Sequence, residues 1–343
     1  MTKITTIGLD LAKAVFQVHG AIEDGTPVLR RKLRRSEVLS FFEKQPPCLV
    51  GVEACGSAHH WAREIGRLGH EVRLIPPAYV KPFVKRGKTD AADAEAICEA
   101  VTRKTMRFVP IKTEEQQAAA MVLKTRELLV NQRTRTINAL RAHLAELGVV
   151  AATAVTGFAS LVAIVRDHDD NRVPKVARFA LAILVEAVEM IEQQIAEIDE
   201  RIAVATRSDA CAKRLMSVPG VGVIIAASIR ALVPDPAGFR SARHFAAWLG
   251  LTPKPHSSGG KERLGGISKM GNATLRSLLV VGATSVMCVA RRGKPVPAWL
   301  SALMGRRPYK VAAVALANKM ARIIWALLTK GGVYQPPVMP AVA

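Results

Sequence analysis

Acidic residues are scarce. Among 343 residues there are 28 Asp and Glu against 49 Lys and Arg, a formal charge of +21. That imbalance points to a polyanionic partner, with nucleic acid first, because each phosphate contact gains from counterion release. Cysteine is also sparse. Cys48, Cys55, Cys98, Cys211 and Cys288 are odd in number, scattered, and form no Cys-x-x-Cys pair. This excludes a disulfide framework and a zinc knuckle, and fits a reducing cytoplasm. No signal-peptide-like apolar run opens the chain, so a cytoplasmic location is expected. The apolar stretch Val218–Val233 is too short and too interrupted to span a bilayer. No basic amphipathic helix carries aromatic anchors, which sets membrane surfaces aside.

Half of the residues are apolar, enough for the cores of two or three domains. The first hundred residues alternate strand and helix signals. Strands are expected at Lys3–Leu11, Ala14–His19, Val28–Leu33, Cys48–Glu53 and Glu71–Ile75. Helices are expected from Ser36, as cap, through Phe42, and from Ser57 to Leu68 before Gly69. The order β-β-β-α-β-α-β implies a mixed sheet with helices packed on it. Residues 78–89 read as a basic loop, with Lys85, Arg86 and Lys88 as nucleic-acid contacts beside Lys81, followed by a helix over Asp90–Arg103. Two long helices follow, Thr113 to Leu147 and Val176 to Arg207. The second carries Ile183, Leu184, Val188, Ile191, Ile195, Ile198 and Ile202 as one stripe. Together they form an antiparallel hairpin suited to dimerisation. The division is therefore 1–112, 113–207 and 208–333, with a flexible Pro-rich tail at 334–343.

Four acids stand out against the basic background. Asp10 ends the run Ile-Gly-Leu-Asp, and Glu53 ends Val-Gly-Val-Glu. Parallel pairing of those strands would bring the two side chains together. Asp90 and Asp93 lie three apart on one face of a helix. Four carboxylates gathered together repel unless cations hold them. Mg²⁺ (or Mn²⁺) suits such oxygen ligands, and a metal pair supports phosphoryl transfer. Singly, each acid has a plainer role: a turn residue, a surface charge, or, for Asp90, a helix cap. Glu95 and Glu99 are expected to be solvated.

Two segments of the last third matter. Pro219-Gly220-Val-Gly222 between helical stretches resembles a helix-hairpin-helix turn, whose glycines and helix N–H groups would hold a phosphate. An ordinary tight turn between packed helices is the alternative. Residues 248–272 are polar, basic and glycine-rich, with no regular structure expected. They include Ser257, Ser258 and Ser268, with Lys254, His256, Lys261, Arg263 and Lys269 nearby. Serine attacks a phosphodiester once its proton is removed and the phosphate charge is neutralised. Residue type alone leaves these serines as ordinary hydrogen-bonding groups. An apolar helix is expected over Ala273–Ala290 and a last one over Lys319–Leu328. Between them, Arg291, Arg292, Arg306 and Arg307 read as phosphate contacts.

The pattern Gly-Leu-Asp-Leu-Ala-Lys, Val-Glu-Ala-Cys-Gly and Lys-Thr-Asp-Ala-Ala-Asp-Ala resembles the DEDD transposases of bacterial insertion sequences, the group of IS one-ten and IS eleven-eleven. His-Ser-Ser-Gly-Gly-Lys and Gly-Gly-Ile-Ser-Lys-x-Gly-Asn resemble the eleven-eleven branch. The resemblance covers essentially the whole chain. It implies an α/β plus α protein. The N-terminal domain would be RNase H-like, related to RuvC-like Holliday-junction resolvases, with Asp10, Glu53, Asp90 and Asp93 as metal ligands. A helical hairpin and a mainly helical C-terminal transposase domain would follow. It also implies a serine nucleophile, Ser258 by its place before glycine, with Ser257 as the neighbouring choice. Its partners would be DNA, a structured bridge RNA and further copies of the chain, as dimer or tetramer. The acids and the serine would meet in a composite site.

Three other functions are open to the residues. A resolvase-type nuclease would use water as nucleophile. A nucleic-acid scaffold would leave the acids without work. A sugar-kinase or actin-like ATPase also has Gly-x-Asp at its first strand end, but the second glycine-rich phosphate loop is missing.

Overall fold

The computed structural model describes residues 3–336 apart from Arg86, Lys88, Thr153 and Ala154. The chain divides into two compact units, Met1–Gln117 and Ala118–Ala343. The first is α/β. Its elements run β1 (Thr6–Asp10), β2 (Val15–Ala21), β3 (Pro27–Arg34), α1 (Val38–Glu43), β4 (Leu49–Glu53), α2 (Ala58–Arg67), β5 (Glu71–Ile75), α3 (Pro77–Val80) and α4 (Asp90–Val101). The five strands form one mixed sheet in the order β3-β2-β1-β4-β5. The β1–β2 and β2–β3 pairs are antiparallel; the β1–β4 and β4–β5 pairs are parallel. Two local differences from expectation stand out. Ser36 lies inside a single 3₁₀ turn, Arg35–Glu37, with no side-chain cap. Part of the expected 78–89 loop is helical, because Pro77 and Pro82 fix φ in the first turns of α3 and of a 3₁₀ turn at Lys81–Phe83.

Period-2 alternation decides what each sheet face does. Ile7, Leu9, Phe16, Val18, Leu33, Val50 and Val52 point to one side and pack with Phe42, Trp61 and Ile65. Phe16 meets Trp61 edge-on at 5.0 Å. Each such buried side chain contributes about 1.5–3 kcal/mol. On the other side, α4 lies against the sheet through Ala96, Ile97, Ala100 and Val101. It comes unusually close because the central strands present glycine there. Gly8 and Gly51 are paired in register. A Cβ on Gly8 would fall 2.1 Å from the Ala94 carbonyl oxygen and 2.5 Å from the Cys98 nitrogen. A Cβ on Gly51 would fall 2.8 Å from the Val101 Cβ. The Gly8 obstacles are backbone atoms, so Gly8→Ala forces α4 off the sheet. A loss of about 2–4 kcal/mol is expected, to be read from urea unfolding midpoints.

The second unit is mostly helical. It holds α5 (Glu114–Glu146, whose first turn belongs to the first unit), α6 (Val155–Arg166), α7 (Lys175–Ser208), α8 (Ala210–Met216), α9 (Val223–Leu232) and α10 (Ala242–Trp248). A two-stranded hairpin of β6 (Pro253–Pro255) and β7 (Leu264–Ile267) comes next, then α11 (Ala273–Arg291), α12 (Ala298–Arg306) and α13 (Tyr309–Lys330). The long helices α5 and α7 pair antiparallel: Arg126 bridges Asp199 and Arg133 bridges Glu192. The apolar stripe expected along α7 is split. Val188, Ile195 and Ile202 are buried and Leu184, Ile191 and Ile198 half-buried, whereas Ile183 is exposed. Helix α6 was not anticipated, and α13 starts ten residues before the expected Lys319, directly after Pro308. Helices α11 and α13 are long and apolar enough to cross a membrane. Leu275, Leu279, Ala283 and Met287 of the first meet Ala313, Ala317, Met320 and Ile324 of the second in the core of this unit.

Candidate active site

The glycine seating of α4 determines where the acids go. Gly8 and Asp10 are two apart on β1, and Gly51 and Glu53 are two apart on β4, so all four lie on the α4 side of the sheet. One turn before its contact with Gly8, α4 presents Asp90 and Asp93. Thr89 caps this helix, its hydroxyl accepting from the Ala92 N–H at 3.2 Å. Asp90 is therefore the first helical residue and not the cap, and its carboxylate is left for other work. Both aspartates occupy the first turn, where the helix dipole favours negative charge.

The charges register one another. Partial burial, then the charges of Asp93, Asp90 and Glu53, push Asp10 up to about 6 from its ordinary 3.8. Burial and Asp93 also raise Glu53. Asp10, Glu53 and Asp93 are half-buried and Asp90 is exposed. Among the described residues, no three His, Cys, Asp or Glu side chains close around a common point as a metal shell. The donor set is nevertheless of the right chemistry: four hard oxygen ligands sharing one end of the sheet, at an electrostatic cost that a divalent cation would remove.

A pH dependence follows. A carboxyl raised in the folded state disfavours folding when it ionises. The penalty is absent below about pH 4 and complete above about pH 6. Because Asp10 is partly solvated, its worth is on the order of 1 kcal/mol. With a chelator present, the melting temperature of wild type should fall relative to Asp10→Asn as pH rises through that window. An unchanged difference would contradict the coupling.

Glu95, expected to be solvated, instead receives Lys85 at 2.5 Å and Arg30 at 3.4 Å. The hydrogen bond from Lys85 holds its carboxyl below the usual range. Lys85, one of the expected nucleic-acid contacts, thus already has an anionic partner. Arg86 and Lys88 lie outside the described residues.

Sequence patterning passed over Gln17. It pairs in register with Asp10 on one side and Lys32 on the other. It is 7% exposed, a polar side chain buried in the middle of the sheet. The signal was present in β2: Gln17 and His19 alternate with the apolar Phe16 and Val18 where a buried strand would carry apolar residues throughout.

In the second unit the stretch around the serines is ordered. Pro253 pairs with Ile267 and Pro255 with Leu264, and Ser258 bridges Lys261 at the tip. Gly259 and Gly260 have φ of 57° and 76°, so both central residues take the left-handed form that tight hairpin turns require. The two prolines fit because a two-stranded ribbon has a free edge. The stem is fixed at its base. Arg276 donates to the Leu249 and Met270 carbonyls at 3.0 and 2.8 Å. A Cβ on Gly271 would fall 1.7 Å from the Trp248 carbonyl oxygen. Asn272 caps α11 through the Leu275 N–H. Part of the motif is therefore scaffold.

The two serines differ. The Ser257 hydroxyl accepts from the Arg263 N–H at 3.2 Å. The Ser258 hydroxyl is exposed at the tip, without a hydrogen bond among the described residues. Lys254, Lys261, Arg263 and Lys269 are exposed on the same segment. Gly220 has φ of 85° and lies against α11, its Cβ position 2.6 Å from the Gly282 carbonyl oxygen. Gly222 is exposed at the start of α9, which has no side-chain cap. Arg292, Arg306 and Arg307 are exposed, and Arg291 lies 4.4 Å over the Tyr309 ring.

Comparison with known proteins covers both units. Residues 7–148, which contain all four acids, match a DEDD transposase family. Residues 212–296, which contain the serine hairpin, match the family described as Transposase IS116/IS110/IS902. A putative transposase of Sinorhizobium fredii is 48% identical over 97% of this chain and 86% of its own length. The transposase for insertion sequence element IS1111A of Coxiella burnetii is 39% identical, over 98% of this chain and 92% of its own. That of IS1328 from Yersinia enterocolitica is 37% identical, over 97% and 99%. The four acids, the serine hairpin and near-complete coverage at these identities place the chain in the IS116/IS110/IS902 transposase family.

Proposed function

We propose that this chain is the recombinase that moves its own insertion sequence, cutting and rejoining DNA with Ser258 as nucleophile and a divalent cation held by Asp10, Glu53, Asp90 and Asp93. The observation that carries this is the seating of α4 on Gly8 and Gly51, which gathers four acids at one sheet end. The strand order supports an RNase H-like, resolvase-type domain: an antiparallel ribbon on one flank of β1 and parallel strands on the other. Mg²⁺ or Mn²⁺ would neutralise the phosphate and stabilise the leaving oxygen.

The rest of the chemistry belongs to the chain. The Ser258 oxygen bonds to phosphorus as its proton passes to solvent. The sugar oxygen departs with the bonding pair and takes up a proton. One phosphodiester replaces another, so the bond is conserved in the adduct and a sugar hydroxyl can later reverse the attack. Water as nucleophile would lose that bond, which suits a nuclease and not an enzyme that rejoins ends. Lys261 and Arg263, beside the serine, would neutralise the phosphate. Gly222, Lys269 and the arginines at 291, 292, 306 and 307 would carry flanking phosphates.

In this reading the target would be chosen by a structured bridge RNA in the bacterial cytoplasm. The functional segments would be residues 1–112, 113–207 and 208–333. Exposed Phe179, Ile183 and Met190 on α7 support pairing of the helical hairpin with further copies. Cleavage of DNA carrying the element ends, with and without Mg²⁺ and the co-expressed flanking RNA, tests the whole. Equal cleavage without the RNA would remove the guide from the account.

A further inference from the structure

The sheet end that carries the acids also carries a basic groove of about 750 Å³. Lys13, Arg34, Arg35 and His60 line it together with Ser36 and Trp61, and no lining residue is acidic. This separates it from the cleft between β2 and α4 in the same unit, where Glu95 and Glu99 offset Arg30 and Arg103. Lys13 lies three residues after Asp10, in the turn from β1 to β2. Arg34 is held in place by its register with Val15. The Arg35 N–H donates to the Ala14 carbonyl at 2.9 Å, and its guanidinium lies 5.0 Å over Trp61. His60 and Trp61 are in the first turn of α2, which starts five residues after Glu53.

One feature goes beyond a solvated basic face. Lys13 and Arg34 have no ion-pair partner among the described residues, although many arginines in this unit do. The Trp61 indole N–H, on a side chain only 4% exposed, has no hydrogen-bond acceptor among the described residues. That donor is enclosed beneath the surface, so the groups a ligand would meet are Lys13, Arg34, Arg35 and His60. The groove is wide open to solvent, which suits a chain passing over it, and the lining calls for an anion with several oxygens.

We propose that this groove seats the phosphodiester backbone of the strand on which the carboxylates act. The placement rests on the nucleic-acid chemistry proposed above; the groove itself rests on its own lining. A strand lying over Lys13 and Arg34 would continue to Asp10 within a few nucleotides, since Lys13 follows Asp10 in the same turn. Sugar-phosphate is common to DNA and RNA, and the experiment separates the two.

The test uses the full chain, with a chelator present so that cleavage does not intervene. Binding of a labelled DNA duplex, and of a labelled single-stranded RNA, is followed by anisotropy across a salt series. The variant is Lys13→Gln with Arg34→Gln. The control is Lys3→Gln with Lys44→Gln, equal in charge and at the opposite end of the sheet. Loss of two phosphate contacts makes the log–log salt slope shallower by about 1.8 for duplex DNA or about 1.4 for single-stranded RNA. A change with one nucleic acid assigns the groove to it, and a change with both assigns it to the shared backbone. Equal slopes for wild type and variant, or an equal change in the control, would overturn the proposal. Asp10→Asn keeps the two proposals apart. Should it still cut DNA while the groove variant loses slope, the carboxylate chemistry fails and the groove stands.

Discussion

Asp10→Asn should abolish DNA cleavage, by on the order of 10³-fold or more, with the fold intact. Asparagine keeps the shape of the side chain and its place beside Leu11, but gives up the charge that a divalent cation needs. It also relieves repulsion among the four acids, so the metal-free variant should melt no lower than wild type. Loss of activity with unchanged or improved stability is the signature of a residue kept for chemistry. Glu95→Gln is the discriminating control. Glu95 lies on the same helix, two residues beyond Asp93, but it is tied to Lys85 and Arg30. Its loss should change cleavage less than about threefold and cost about 1 kcal/mol or less. Cleavage rates on an element-end substrate, with melting temperatures measured alongside, decide between the two patterns. Equal loss from both variants would mean that α4 needs charge in general.

The second large effect is expected at the hairpin tip. Ser258→Ala should lower cleavage by about 10⁴-fold while DNA binding is retained, because the attacking oxygen is gone and the phosphate contacts remain. Ser257→Ala should behave differently. It removes a hydrogen bond accepted from the Arg263 N–H, worth about 1 kcal/mol, and loosens the hairpin. A several-fold loss of rate is expected. The reverse ranking would move the nucleophile to Ser257. Single-turnover cleavage and a filter-binding titration for each variant separate the two.

The carboxylate end of the sheet was largely legible. Gly-x-Asp and Gly-x-Glu encode both the close seat for α4 and the acids two residues beyond it, because strand alternation ties position 8 to 10 and position 51 to 53. The parallel pairing of β1 with β4 was likewise implied by the apolar run before Glu53. The hairpin at 253–267 was hidden. Pro253 and Pro255 argue against a strand, and only the Gly259-Gly260 turn announces one. The start of α13 was hidden for a different reason: Arg306 and Arg307 read as phosphate contacts between two helices, while α13 begins directly after Pro308. Glu95 looked like a solvated charge because neither partner sits on its own helix: Lys85 is 10 residues back and Arg30 is 65 residues away. Gln17 was passed over because register, not local pattern, puts it beside Asp10.

The most direct test of the central claim is to trap the reaction under denaturing conditions and digest the protein. The account predicts a covalent protein–DNA adduct whose mass maps to the peptide containing Ser258, formed with Mg²⁺, lost in Ser258→Ala and lost in Asp10→Asn. Cut DNA ends with no protein attached, produced equally well by Ser258→Ala, would contradict it and leave a metal-dependent nuclease in its place.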